Sequence, residues 1–248
     1  MIENALHHAQ RGYRVFPLLP GCKEPAIPKR DGGHGCLDAT TDIAIIESWW
    51  RSYPSANVGI ATGRGLLVID VDPRHNAKWL DSLNSLDLPQ TFTVRTAGGG
   101  WHLYLATPPT CKITIGADLL PGVDWRANNG YVVSPGSIVN GAFYTIAKNL
   151  PIAAAPRALI ERIEATRKTR KIERTPDGHM VIPATRRNDT LMRIGSALRR
   201  WGVDYNAILE SLRAVNIDHC DPPLEDAELR HIAGSVSRYK PNEPKGAA

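Results

Sequence analysis

The spacing of apolar and polar positions changes period several times along the chain, and each change marks an element. Residues 3–11 carry Ala5, Leu6 and Ala9 at helical spacing, with Gly12 placed to end the helix. Residues 13–19 read as a strand stopped by Pro20-Gly21. Residues 20–41, rich in Gly, Pro and Lys, predict a long loop, and loops of that length in a compact domain are usually functional or disordered. Thr41 or Asp42 can cap a helix through Tyr53 whose apolar side is Ile45, Ile46, Trp49 and Trp50. At that spacing the tryptophan pair reads as core rather than as a stacking platform. Residues 57–63 predict a strand of small side chains, and the short turn Gly63-Arg64-Gly65 joins it to 66–72 as an antiparallel hairpin. A helix over 77–86, a strand over 91–96, a glycine turn at 97–100 and a returning strand over 101–105 follow. Residues 123–126 form a further strand, and 131–136 and 142–146 read as a final pair.

From Pro156 the character changes. Residues 157–170 predict a basic helix, and 171–186 a polar connector containing Pro and Gly. Helical patterns then cover 188–201, 205–216 and 225–239; Asn188 or Asp189 caps the first, Gly202 ends it, and Pro222-Pro223 separates the last two. The tail beyond Lys240 is linker-like and suggests a longer parent chain.

The length of 248 residues allows a main domain with a smaller appendage, and 42% hydrophobic residues suffice for a sizeable core. The first residues lack the basic start and apolar core of a secretory signal, and no apolar run approaches the ~20 residues that span a bilayer. A cytoplasmic chain with no membrane partner is expected. Cys22, Cys36, Cys111 and Cys220 are scattered, whereas closed zinc sites bring ligands in tight pairs; zinc is therefore not expected, although His34 and Cys36 could lend ligands. The net charge of +5 is unevenly spread. Arg157, Arg162, Arg167, Lys168, Arg170, Lys171 and Arg174 are followed by Arg186, Arg187, Arg193, Arg199 and Arg200. Such clustering is either a footprint for a polyanion or a well-solvated helix face.

The chemistry is concentrated in Leu66-Leu67-Val68-Ile69-Asp70-Val71-Asp72. Strand side chains alternate faces, so Asp70 and Asp72 point the same way, ~7 Å apart. Carboxylates so placed resist burial: either a divalent cation sits between them, or the strand runs out into water. Gly98-Gly99-Gly100 precedes Trp101-His102, and Asp124 shares a face with Arg126. Singly, His102 reads as a structural histidine and Asp124/Arg126 as a surface ion pair. Converging on one face, the acids could hold two divalent ions that activate a hydroxyl and neutralise a leaving pyrophosphate. Gly99 would let backbone approach phosphate, and Arg126 offers a fork for phosphate or sugar.

In this order the residues resemble the primase–polymerase (prim-pol) domain of plasmid and phage replicases, in the archaeo-eukaryotic primase superfamily. The match lies in Ile69-Asp70-Val71-Asp72, Gly100-Trp101-His102 and Val123-Asp124, with Lys23-Glu24-Pro25, the 57–63 segment and Gly130-Tyr131-Val132-Val133-Ser134-Pro135 around them. Residues 187–240 resemble the primase C-terminal helical domain through Arg187-Asn188-Asp189, Cys220-Asp221-Pro222-Pro223 and Glu228-Leu229-Arg230-His231. The resemblance implies an α/β (α+β) fold: an RRM-like mixed-sheet catalytic core over 1–155, a basic helix and linker over 156–186, a small helical bundle over 187–240 and a tail over 241–248. It implies template-directed synthesis of primers and extension of DNA from nucleoside triphosphates. Asp70, Asp72 and Asp124 would bind Mg2+ or Mn2+, and His102 the incoming triphosphate. Arg126, Lys23, Asn57 and Gly99 would support the nucleotide or template. Single-stranded or primed DNA is the expected partner, with a helicase domain downstream, in the host cytoplasm of a phage or plasmid. The same carboxylates would also suit a metal-dependent phosphodiester hydrolase. A non-catalytic RRM-like binder fits less well, because its sheet should carry aromatics where this one carries acids and a histidine.

Overall fold

The computed structural model describes residues 1–73, 79–169, 173–174 and 179–241, in two units, Met1–Thr166 and Arg167–Ala248. The first unit runs α1 (Ile2–Gln10), β1 (Val15–Leu18), α2 (Ile43–Ser52), β2 (Asn57–Ala61), β3 (Leu66–Val71), α3 (Trp79–Asn84), β4 (Thr93–Arg95) and β5 (Trp101–Ala106). It continues with β6 (Gly116–Leu120), β7 (Val123–Arg126), β8 (Tyr131–Val133), β9 (Ile138–Val139), β10 (Ala142–Phe143), β11 (Thr145–Lys148), β12 (Ala153–Ala154) and α4 (Arg157–Thr169). The 20–41 segment is not wholly irregular; short 3-10 turns occupy Lys29–Asp31 and Gly35–Leu37. Antiparallel sheets with helices against them, followed by a helical C-terminal unit, make the fold α+β.

The main sheet runs β11-β4-β5-β3-β7-β6, with β12 added in parallel beside β5. β3 is central, and its alternation feeds two cores. Leu66 and Val68 join one with Tyr104, Val94 and the smaller sheet β1-β2-β8; Leu67, Ile69 and Val71 join the other with Leu105 and Trp125. An unbroken apolar strand is what burial on both faces requires. Asp42 caps α2 by accepting from the amides of Ala44 and Ile45, and Ile46 and Trp50 are buried beneath it. Ile45 is not part of that side: it is 42% exposed, one position off the stripe. The helix expected over 77–86 is present from Trp79, which stacks on Trp101 at 4.5 Å; residues 77–78 lie outside the described residues.

The predicted hairpin between 57–63 and 66–72 does not form. β2 pairs with β1 and β8, while β3 lies between β5 and β7. Gly63, Arg64 and Gly65 all have positive φ and swing the chain from one sheet to the other; the Thr62 amide bonds to Gly130 instead. Strands are present in both segments expected as a final pair, 131–136 and 142–146, and the Gly136 amide donates to the Tyr144 carbonyl, but they do not share one ladder. β8 joins β2, β10 folds back on β9, and β11 edges the main sheet beside β4, because positive-φ turns at Gly136 and Gly141 redirect the chain.

The second unit contains β13 (Glu173–Arg174), β14 (Met180–Pro183), α5 (Arg187–Arg200), α6 (Tyr205–His219), β15 (Cys220–Asp221) and α7 (Asp226–Ser237). The stretch expected as connector thus contributes β14, whose Ile182 is fully buried with Leu191, Leu212 and Val236. Neither Asn188 nor Asp189 caps α5; the cap position is Arg186, which makes no side-chain cap bond. Residues 170–172, 175–178 and 242–248, including most of the predicted tail, lie outside the described residues. No described helix is long and apolar enough to cross a membrane.

Candidate active site

Register across three strands assembles the site. Asp70 in β3 stands directly opposite His102 in β5 and directly opposite Asp124 in β7. Directly opposed residues share a face, with Cβ atoms ~4.5–5.5 Å apart. The acidic, histidine and second acidic motifs therefore form one row across the sheet. Arg126, two positions beyond Asp124, returns over the row: its Nε and Nη2 donate to Asp70 Oδ2 at 3.1 and 2.7 Å, and Nη2 lies 3.4 Å from Asp124 Oδ2. His102 Nε2 is 3.5 Å from Asp70 Oδ1, and its ring leans on Tyr144 at 5.7 Å.

The electrostatics follow from that packing. Burial works against the Asp70 charge, but His102 and Arg126 outweigh it and hold the carboxyl well below the usual carboxylate range. Asp124 moves the other way. Its burial raises it, aided by the like charges of Asp70 and Asp118, and donation from the Asp118 amide at 2.9 Å and the charge of Arg126 offset this only in part. The Asp72 amide bonds to Gly122, which ties the end of β3 to the β6–β7 turn.

Asp70, Asp72, His102, Asp124, Arg126 and Lys23 line one polar cleft of about 300 Å3. A second hollow of about 260 Å3, walled by Tyr131 and Ile115, shares Lys23, Asp70, His102 and Arg126 with it. Asn57 is not brought there: it is buried, its Nδ2 donates to Cys22 and Ile138 carbonyls, and its Oδ1 accepts from the Ile138 amide. Gly99 does not line the cleft either; Gly98 and Thr96 do. Gly100 packs its backbone against the Val71 carbonyl so closely that a Cβ would collide with it, which holds the glycine turn over the acids. Sequence reasoning missed Asp118, which lines the cleft from a positive-φ position in β6. The flanking Pro121-Gly122 turn was its one available signal.

The donor set suits a hard divalent cation, since Asp70, Asp72 and Asp124 supply only carboxylate oxygens. As placed, no three carboxylate, imidazole or thiolate groups among the described residues converge on one point. The guanidinium of Arg126 stands between Asp70 and Asp124, supplying the positive charge that the acidic row demands. Carboxylates, an imidazole and a guanidinium facing one polar cleft are the groups that metal-assisted phosphate chemistry uses.

Residues 5–158 match the family model for bifunctional DNA primase/polymerase, N-terminal, and residues 179–242 match that for primase C terminal 1. The chain belongs to the bifunctional DNA primase/polymerase family, and its two matched regions support a DNA primase/polymerase role in replication. No curated protein matches the chain.

Proposed function

We propose that this cleft carries out template-directed nucleotidyl transfer, making primers and extending DNA from nucleoside triphosphates, with Asp70, Asp72 and Asp124 holding Mg2+ or Mn2+. The observation that carries the reading is the row Asp124–Asp70–His102, set by strand register on a sheet face that opens into a polar cleft. Divalent ions bound there would polarise the phosphoryl group, favour loss of the attacking hydroxyl proton and neutralise the departing pyrophosphate. The protein's own part is positioning. Asp118 orients Asp124 through its backbone amide. Asp70, Asp72 and Asp124 would hold the cation, and Arg126, which donates to Asp70, would offer its guanidinium fork to triphosphate oxygens. His102, buried between Asp70 and Tyr144, keeps Nε2 beside Asp70 Oδ1 at the cleft wall, where it would meet the incoming triphosphate. Gly98 lets backbone come close to phosphate, and Lys23 adds charge at the rim. The expected setting is a phage or plasmid replicase, with a helicase domain further along the parent chain.

The test is extension of a primed template by labelled nucleotides in Mg2+ or Mn2+. The native chain should lengthen the primer, and Asp70→Asn with Asp72→Asn should cut the rate at least about a hundredfold while circular dichroism shows the fold retained. Strand shortening would mark a hydrolase instead, and binding without turnover a recognition module. Full activity in the double variant would sink the assignment.

A further inference from the structure

The segment 142–148 faces two ways. Tyr144 turns inward against His102, whereas the neighbouring Phe143 and Ile146 are 58% and 51% exposed. With His7 of α1 and Arg11 at the C-cap of that helix, these side chains line an open groove of about 780 Å3. Tyr144, itself buried, lines both this groove and the catalytic cleft, so the two lie side by side. Among the described residues, none that line the groove is acidic. Large apolar side chains left exposed together mark a place that something covers.

An aromatic face beside a cation is the chemistry that single-stranded nucleic acid requires, because every base offers a π-face and every linkage a negative charge. Duplex DNA hides its bases and would leave Phe143 and Ile146 wet. We infer that this groove takes the unpaired template strand as it approaches the cleft. A base stacks on Phe143, and Arg11 faces the phosphates. This rests on the polymerase reading of the cleft for the word template, but the groove's affinity for single strands does not depend on catalysis.

The experiment is binding of a fluorescein-labelled single-stranded 20-mer to the full chain, without metal or nucleotide, read by anisotropy. Phe143→Ala should weaken binding about tenfold, in keeping with the loss of one stacked base. Arg11→Gln should make the salt dependence of log K shallower by about 0.7, one phosphate contact on a single strand. Both side chains are exposed, so neither change should alter thermal stability. Oligonucleotides carrying 5-iodouracil should cross-link to residues of 142–146 or α1. Native affinity in the combined variant, cross-links confined to 187–240, or equal sensitivity of blunt duplex to Phe143→Ala would each overturn the inference. Failure of the native chain to polymerise would instead defeat the reading of the cleft and leave this test standing.

Discussion

His8 shows how a residue outside the cleft can govern the fold that holds it. Its Nε2 pairs with Ser134 Oγ at 2.8 Å, while Nδ1 is buried with no hydrogen-bond partner among the described residues. Burial first, then the charges of His7 and Arg11, bring its pKa down from 6.5 to about 4. The unfolded chain therefore takes up a proton near pH 6.5 that the folded chain refuses until about pH 4. The stability contributed by neutral His8 is complete above pH 6.5 and is lost as pH falls towards 4, to the extent of about 3 kcal/mol. Denaturant midpoints should fall between pH 7 and 4.5, and His8→Gln should flatten that fall; an equally steep fall in the variant would refute it. Residue types were readable in the sequence where the backbone period alone decides, as for Asp70 with Asp72 and Asp124 with Arg126. They were not where use depends on a distant partner. Asn57 lies in a motif that resembles a nucleotide site, yet its amide ties residues 22 and 138 together. The facing of Asp70 with His102 and Asp124 likewise depends on register between strands far apart in sequence.

At the scale of elements, α4 carries the clearest lesson. Its charges drew attention to a basic helix, but Leu159 and Ile163, one turn apart, are buried in the core beneath β3, with Arg157 and Arg162 on the exposed side. The helix therefore holds the catalytic sheet rather than merely leading away from it. Ile163→Ala should destabilise the first unit by about 2–5 kcal/mol, whereas Arg162→Ala should change its unfolding by no more than about 0.5 kcal/mol. A mild effect at Ile163 would show that α4 detaches without cost to the core. The apolar stripe was visible at i, i+4, but a charge run hides so narrow a stripe. The failed 57–72 hairpin has a similar cause. Two strands and a glycine turn are all that local pattern can see, and β8, which takes β2 away, lies far downstream. β3 was legible because burial on both faces writes itself as an unbroken apolar run.

For the whole molecule, the two units have separate cores, and much of the basic cluster in the second is committed to its own fold. Arg187 Nη1 donates to the carbonyls of Pro222 and Pro223, and Arg199 donates to those of Tyr239 and Val203. Arg193 and Arg200 are exposed, and beside Arg200 stands Trp201, 89% exposed. Any contribution of this unit to template binding should therefore come from Arg193, Arg200 and Trp201. Replacing both of these arginines by Ala should weaken single-strand binding and lower its salt slope by about 1.4, two phosphate contacts on a single strand. Arg187→Ala should instead loosen the second unit. The matching truncation belongs after Thr166, because a cut at Pro156 would strip Leu159 and Ile163 from the catalytic core. Residues 1–166 should extend a primed template while binding it more weakly and with a shallower salt slope than the full chain. If that fragment kept the full affinity and the full slope, the second unit would have no part in holding DNA, and the template contacts would all lie on the catalytic unit.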